Sequence, residues 1–93
     1  MTVYEQVKEL LLKQEWFNNH NVTFDVDMIY FRNLEKTVKI TEDQITIKSY
    51  NRFYDGQSER LELVYTQIFE LNSFHYDLTI DDIVELLEKE MED

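Results

Sequence analysis

Residues 22–54, VTFDVDMIYFRNLEKTVKITEDQITIKSYNRFY, contain three runs in which apolar and polar side chains alternate. Alternation with a period of two is typical of strands that bury one face. It predicts three strands, Val22–Arg32, Lys36–Ile40 and Ile45–Tyr54. Short polar turns separate them, one over residues 33–35 and a four-residue connection over 41–44, and Asp55-Gly56 ends the third strand. The segment therefore predicts a three-stranded antiparallel meander.

Helical spacing lies on both sides of this segment. From Thr2 to Phe17 the apolar residues recur at steps of three and four, and Thr2 and Glu5 have the spacing of a capping box. From Thr79 to Glu92 the same steps recur, and Thr79 and Asp82 have the same spacing. We predict a helix over Thr2–Phe17 and another over Thr79–Glu92.

The segment Ser58–Asn72 fits two secondary structures. As a helix it would bury Leu61, Val64, Tyr65, Ile68 and Phe69, which lie on one face. As a strand it would bury Leu61, Leu63, Tyr65, Phe69 and Leu71, with the polar Gln67 on the wrong side. We favour the helix, because its polar face is consistent as well.

The predicted fold class is therefore α+β. It has an N-terminal helix, a three-stranded antiparallel meander and two C-terminal helices packed on the sheet. The alternative makes 58–72 a fourth strand. The chain has 93 residues, so we expect a single domain, 1–93.

Composition excludes several kinds of site. The chain has no Cys, no Pro and one Gly, which removes disulfides, thiolate metal sites and Gly-rich phosphate loops. Twenty acidic and nine basic residues give a net charge of −11, which argues against direct binding to nucleic acid or an anionic membrane. No signal peptide or membrane-spanning run of about 18 apolar residues is visible, so we expect the cytoplasm of a bacterial cell.

Catalytic candidates are few. His20 and His75 each lack a His or carboxylate partner at the spacing of a helical metal pair. Ser49, Ser58 and Ser73 lie in no nucleophile motif. We predict that the protein is not an enzyme and that it has no cofactor.

Two groups of aspartates could suggest a metal. Asp25 and Asp27 lie on one side of the first predicted strand and could hold a divalent cation or do acid–base work, as in a metal-dependent hydrolase. Neither they nor Asp77, Asp81 and Asp82 have calcium-loop spacing. A solvated sheet face explains Asp25 and Asp27 better, and we predict no metal site.

Acidic residues concentrate in the second half of the chain. Residues 41–93 carry fourteen acidic and four basic side chains, whereas residues 1–40 carry six and five. In the last predicted helix, Asp81, Glu85, Glu88 and Glu92 follow at steps of four, three and four and would form one stripe beside Asp82. If 58–72 is helical, Glu59, Glu62 and Glu70 form a second stripe. Such rows imitate the charge of nucleic-acid phosphates and would suit a basic groove.

Aromatic residues supply a second candidate surface. Tyr50, Arg52, Phe53 and Tyr54 cluster at the end of the third predicted strand. Tyr and Arg are favoured at interface hot spots. We expect Tyr50 and Tyr54 to contact a partner or, if the cluster is exposed, a second copy of the chain.

The layout resembles that of small, acidic, phage-encoded anti-CRISPR proteins of the type II-A class. The likeness spans the chain (helix Thr2–Phe17, meander Val22–Tyr54, acidic helices Ser58–Asn72 and Thr79–Glu92) but contains no motif. Residue types with AT-rich codons (Phe, Tyr, Met, Ile, Asn and Lys) total 34, against 4 for the GC-rich set (Gly, Ala, Arg and Pro), which also fits phages of low-GC bacteria. The resemblance implies that Asp81, Glu85 and Glu88 occupy the place where a nuclease reads target DNA. The aromatic content here is higher than in that family.

We therefore expect a phage or mobile-element inhibitor. It would bind a basic nucleic-acid-handling protein, in the first instance a CRISPR effector nuclease, and block its DNA or RNA site as a nucleic-acid mimic. The alternatives are an immunity or antitoxin-like partner of a basic toxin and a self-associating accessory protein.

Overall fold

The computed structural model describes residues 2–71 and 79–92. The elements in chain order are α1 (Val3–Leu11), α2 (Glu15–Asn18), β1 (Val22–Phe24), β2 (Met28–Phe31), β3 (Lys36–Ile40), β4 (Gln44–Asp55), β5 (Ser58–Glu70) and α3 (Ile80–Glu90). The strands form one sheet in the order β1-β2-β3-β4-β5, and every neighbouring pair is antiparallel. The fold is therefore α+β, with a five-stranded meander in place of the three-stranded one expected.

The core lies between one face of the sheet and the helices α1 and α3. The sheet contributes alternate apolar residues, the fully buried Ile29, Phe31, Val38, Ile40, Ile45 and Ile47. The helices contribute Tyr4, Val7, Leu11, Ile83, Val84 and Leu87 to the same cluster. We call the opposite side of the sheet, which carries Tyr30, Thr37 and Lys48, the outer face.

The N-terminal helix begins as predicted and ends early. The Thr2 hydroxyl oxygen accepts a hydrogen bond from the Glu5 N–H at 3.1 Å, which caps α1. The single helix expected over Thr2–Phe17 is wrong, because α1 ends at Leu11 and α2 starts at Glu15 after an extended Gln14. The break turns Phe17 into the core, where its ring lies edge-on to Phe31 with centroids 5.7 Å apart.

The first predicted strand, Val22–Arg32, is a hairpin. Phe24 pairs with Ile29, so the residues between them form a turn. Two hydrogen bonds stabilise it: the Tyr4 hydroxyl donates to the Asp25 carbonyl at 2.7 Å, and the Val26 N–H donates to the Asp25 carboxylate at 2.8 Å. The turn changes the phase of the alternation, and Ile29 points into the core.

The helix predicted over 58–72 is also wrong. Residues 58–70 form β5, which pairs with β4 along its whole length. Ser49 pairs with Tyr65 and Tyr50 with Leu63, so Val64 is an extra residue at a β-bulge. One C-terminal helix, α3, remains. A strand over this segment was the alternative, but the sheet has five strands and not four because β1 and β2 are separate.

The helix α3 has the predicted N-terminal cap. The Asp82 N–H donates to the Thr79 hydroxyl oxygen at 3.2 Å, and the Thr79 N–H donates to the Asp82 carboxylate at 3.1 Å. The helix ends at Glu90, two residues before the predicted end at Glu92. The Lys36 ammonium donates to the Glu90 carbonyl at 2.9 Å, so a sheet residue satisfies the last turn.

The strands β4 and β5 extend beyond the rest of the sheet. β3 pairs with β4 only from Ile45 to Ser49, so residues 50–63 pair only with one another. We call this two-stranded extension the ribbon. Its turn places Gly56, with φ of 62°, first of two central residues, as in a type II′ hairpin. The ribbon contributes to an elongated shape of 47 × 29 × 25 Å.

Candidate functional site

The acidic stripe predicted in the last helix lies on the exposed side of α3. Asp81, Glu85 and Glu88 are exposed, while Ile83 and Leu87 on the other side are buried. Glu92 is also exposed, although it follows the end of the helix. We call these four carboxylates, Asp81, Glu85, Glu88 and Glu92, the acidic face. Asp81, Glu85 and Glu88 therefore share the exposed side of α3, and Glu92 follows it.

Asp82 is separated from the acidic face by its role in the cap. Hydrogen bonds from the backbone and side chain of Thr79 hold the pKa of the Asp82 carboxyl below its usual value. The carboxylate is therefore charged and fixed at the start of the helix, where it also faces the positive end of the helix dipole. Asp82 stabilises α3, and its oxygens are already engaged.

In residues 2–71 and 79–92, none of the four carboxylates of the acidic face forms an ion pair. Within the helix, the basic residue of the last turn is Lys89. Lys36 reaches the end of α3 but donates to a backbone carbonyl. In the described part of the chain, the cations that form ion pairs are Lys39, Arg52 and Arg60, all on the sheet. Acidic charge is thus concentrated on the helical layer.

The second acidic stripe expected, Glu59, Glu62 and Glu70, does not exist. These residues lie on a strand, and the bulge at Val64 places Glu62 on the opposite side from the other two. Glu59 and Glu70 lie about 37 Å apart along an extended chain. Glu59 forms an ion pair with Arg52, and Glu62 lies 3.7 Å from Arg60. The helix interpretation had grouped residues that the strand separates.

The ribbon and the adjoining part of β5 expose an unusual amount of apolar surface. Seven of the nine exposed large apolar side chains in residues 2–71 and 79–92 lie here: Phe53, Tyr54, Leu61, Leu63, Val64, Tyr65 and Ile68. Tyr54 is 78% exposed, whereas Tyr50 is half-buried beside the outer face. By the strand register, Tyr54, Leu61, Leu63 and Ile68 lie on the outer face and Phe53 and Tyr65 on the opposite one. Exposed apolar side chains grouped in this way mark an interaction surface. The aromatic cluster expected around Tyr50 and Tyr54 is therefore part of a larger surface that includes β5.

A polar cluster connects the ribbon to the sheet. Arg52 donates from Nε to Glu35 at 2.6 Å and also pairs with Glu59. The Tyr30 hydroxyl donates to the second Glu35 oxygen at 2.9 Å. Burial alone would raise the pKa of Glu35, but hydrogen bonds from Arg52 and Tyr30 outweigh it and hold that pKa below its usual value. Arg52 is thus already saturated by carboxylates and anchors the ribbon.

A groove runs between the ribbon and the outer face. Its volume is about 440 Å³, and Thr23, Met28, Tyr30, Tyr50 and Leu61 line it. Leu61 of the ribbon and Thr23 of β1 thus lie on the walls of one groove. An adjoining hollow of about 270 Å³ contains Lys39 and Lys48.

The residues considered for metal binding or catalysis lie apart. Asp25 and Asp27 belong to the β1–β2 turn rather than a strand, and Asp27 lies 4.0 Å from Lys39. His20 Nδ1 lies 2.9 Å from the Asn33 amide nitrogen, and its ring packs on Phe31. Over residues 2–71 and 79–92 no three His, Asp or Glu side chains gather as a metal site. His75, Asp77 and Ser73 lie outside the described residues.

The ribbon was the feature missed in the sequence. Gly at the first central position is the signal of a type II′ hairpin, and Gly56 before Gln57 supplies it. The sequence analysis assigns Asp55-Gly56 only to the end of a strand, because the residues after it have helical spacing. The open edge of β5 followed from that turn and was missed with it.

The fold and these surfaces define the coarse class: an α+β protein with a five-stranded meander, an acidic helix and an exposed apolar ribbon. Comparison of the chain with protein-family models, curated proteins and solved structures finds no match. In the described ranges, every helix is too short or too polar to cross a membrane.

Proposed function

We propose that this protein is an inhibitor that binds a basic nucleic-acid-handling protein and occupies its DNA or RNA site. A CRISPR effector nuclease is the first candidate target, following the pattern likeness to type II-A anti-CRISPR proteins. The observation that supports the proposal is the acidic face, with Asp81, Glu85 and Glu88 exposed and opposite the buried side of α3.

The spacing of the acidic face supports the mimicry. Asp81, Glu85 and Glu88 follow at steps of four and three on α3 and therefore rise about 6 and 4.5 Å along its axis. One nucleic-acid strand carries a phosphate about every 3.4 Å of rise. The acidic face therefore carries a somewhat lower but comparable line of charge. A basic groove would attract it by the same electrostatic steering that attracts nucleic acid.

The capped helix holds this charge in a fixed geometry. The Thr79–Asp82 box fixes the start of α3, and Lys36 holds its last turn. Leu87 and Ile83 anchor the other side in the core. Like charges at these spacings repel one another and destabilise an isolated helix. A cationic partner would relieve that repulsion, so binding and charge neutralisation favour one another.

Competition with nucleic acid tests the proposal. Purified type II effector nuclease with guide RNA, and a panel of other basic nucleic-acid enzymes, are titrated with the labelled protein at several salt concentrations. We expect binding that weakens as salt rises and that competes with target DNA. The variant Asp81→Asn/Glu85→Gln/Glu88→Gln should bind at least tenfold more weakly, because three charge contacts are lost.

A matched control variant tests whether binding depends on where the carboxylates lie or only on the net charge of the protein. Asp43→Asn/Asp55→Asn/Glu70→Gln removes the same three charges from the net −11, but from exposed positions of the sheet and its turns. It should bind like the unaltered protein. Equal weakening by both variants would mean that only net charge matters, and binding unaffected by the first variant would disprove the proposal. A basic toxin as the selective partner would support the immunity-protein alternative.

A further inference from the structure

The edge of β5 is open along the ribbon. In residues 2–71 and 79–92 β5 pairs only with β4. The Tyr50 N–H donates to Glu35, away from β5. Backbone groups in an antiparallel ladder alternate in direction, so Leu63, which pairs with Tyr50, directs its N–H and C=O to the open edge. The backbone groups of every second residue point to the same edge, so the N–H and C=O groups of Leu61 and Glu59 also point to the open edge.

This edge is complementary to itself. A two-fold axis at Leu61 sets Leu61 opposite the partner subunit's Leu61, and Glu59 opposite the partner subunit's Leu63. The backbone N–H and C=O groups of Glu59, Leu61 and Leu63 point to the open edge. Each of these pairs can therefore exchange two N–H···O hydrogen bonds between the copies. The unpaired backbone groups of the ribbon thus satisfy those of an identical ribbon without any change of conformation.

The charges beside Leu61 are complementary under the same axis. Arg60 falls opposite the partner subunit's Glu62, and the reverse pair forms on the other side. Both lie in non-hydrogen-bonded positions, where opposite side chains approach most closely. In one chain Arg60 and Glu62 share a face, 3.7 Å apart and each more than half exposed. Both are thus available to a second copy.

Neighbouring registers are worse. An axis at Arg60 or at Glu62 would place two copies of the same charged side chain opposite one another in non-hydrogen-bonded positions, and an axis at Glu59 would do so in a hydrogen-bonded position. An axis at Leu63 would place Leu61 opposite Tyr65 across the bulge at Val64, where the backbone no longer alternates regularly. The charge pattern and the bulge therefore select the axis at Leu61.

We propose that the protein forms a homodimer in which β5 of one copy pairs antiparallel with β5 of a second copy about Leu61, making one ten-stranded sheet. On the outer face of this sheet, the side chains of Leu61 and Leu63 from both copies form one apolar strip beside Tyr50 and Tyr54. A long exposed apolar edge strand invites such pairing. The dimer interface on β5 does not include the acidic face, which lies on the helical layer. The dimer proposal therefore does not depend on the proposed inhibitor function.

Charge exchange tests the register. Sedimentation equilibrium of the full chain should show a concentration-dependent dimer. Arg60→Glu and Glu62→Arg should each weaken it about tenfold or more, because two opposite-charge pairs become like-charge pairs. The double variant Arg60→Glu/Glu62→Arg restores both pairs and should return to within about threefold of the unaltered protein. Single variants that dimerise normally would overturn the proposal, as would a monomer at every concentration.

Crosslinking tests the axis itself. The chain has no Cys, so a single introduced thiol can pair only between copies. Leu61→Cys should form a covalent dimer under mild oxidation, because hydrogen-bonded partners have Cα atoms about 5.5 Å apart, within disulfide range. Glu59→Cys is the control, since its copies would lie about 13 Å apart. Equal crosslinking of both variants would show another register or random collision and would disprove the axis.

Discussion

The Nε atom of Arg52 lies 2.6 Å from Oε1 of Glu35. This contact joins the ribbon to the turn between β2 and β3. Glu35 also has a φ of 54°, which is the left-handed region that a side chain disfavours. The strained backbone is maintained because the carboxylate receives Arg52 and Tyr30 together. The backbone carbonyl of Glu35 also accepts a hydrogen bond from the Tyr50 N–H at 2.9 Å, so Glu35 helps to orient the ribbon through its side chain and its backbone.

Replacing Glu35 should loosen the ribbon without unfolding the core. Glu35→Gln removes the charge that holds Arg52, so we expect faster amide hydrogen exchange in residues 50–63. Because the pair is partly exposed, the loss in the free energy of unfolding should stay below about 1 kcal/mol. Uniform acceleration across β3 and α3 as well would contradict this localised effect.

The same variant should remove a pH dependence. The folded-state pKa of Glu35 is lowered, so its contribution to stability is complete above the unfolded pKa of about 4.3 and is lost as pH falls through the folded value. Urea unfolding of the two proteins between pH 3 and 7 should therefore give curves that converge at the acidic end. A constant difference across that range would exclude a role for the carboxylate charge.

A methyl group at Gly56 would contact no neighbouring atom, but it would strain the backbone at this position. Nothing lies within 4 Å of a Cβ built there, yet its φ is 62°. Gly56→Ala should therefore cost about 1–2 kcal/mol in the ribbon turn through backbone strain alone. We expect faster exchange in the ribbon and little change in Tm. Gln57→Ala, at the next turn position, is the control and should leave both unchanged.

Loss of the α3 cap should destabilise the whole protein. Thr79→Ala removes the acceptor for the Asp82 N–H and should lower the free energy of unfolding by about 1 kcal/mol. The pKa of Asp82 should also rise toward its usual value, which NMR titration of the carboxyl carbon would detect. Thr66→Ala on exposed β5 is the control. Equal losses from both variants would show that the cap contributes nothing specific.

Two isoleucines on paired strands test the assignment of faces. Ile47 is fully buried and Ile68 is 54% exposed. Ile47→Ala should cost about 2–5 kcal/mol through lost burial and a cavity, whereas Ile68→Ala should cost well under 1 kcal/mol. Chemical denaturation measures both. A large loss at Ile68 in the monomer would require a contact that the described residues do not make.

Local signals predicted the parts of the fold that depend on local interactions. β3 has the predicted bounds, Lys36–Ile40, and the caps at Thr2 and Thr79 use the predicted residues. The acidic face followed from helical spacing, because α3 is regular along its length. In each case the residues that form the pattern also form the interaction.

The parts that were wrong depend on contacts distant in sequence. The β1–β2 turn rests on a hydrogen bond from Tyr4, 21 residues earlier than Asp25. In β5 the bulge inserts Val64, so Leu61, Leu63 and Ile68 lie on the outer face and Tyr65 and Phe69 lie on the core side. The extra residue breaks the period of two, and the residues at helical spacing, Leu61, Val64, Tyr65 and Ile68, do not share one face of the strand. The second acidic stripe was an artefact of that shift.

Every residue from Asn51 to Thr66 is exposed, and none belongs to the core. Substitutions in the ribbon are therefore expected to leave the packing of the core unchanged. The surface that the ribbon exposes can diverge during evolution while the fold is retained.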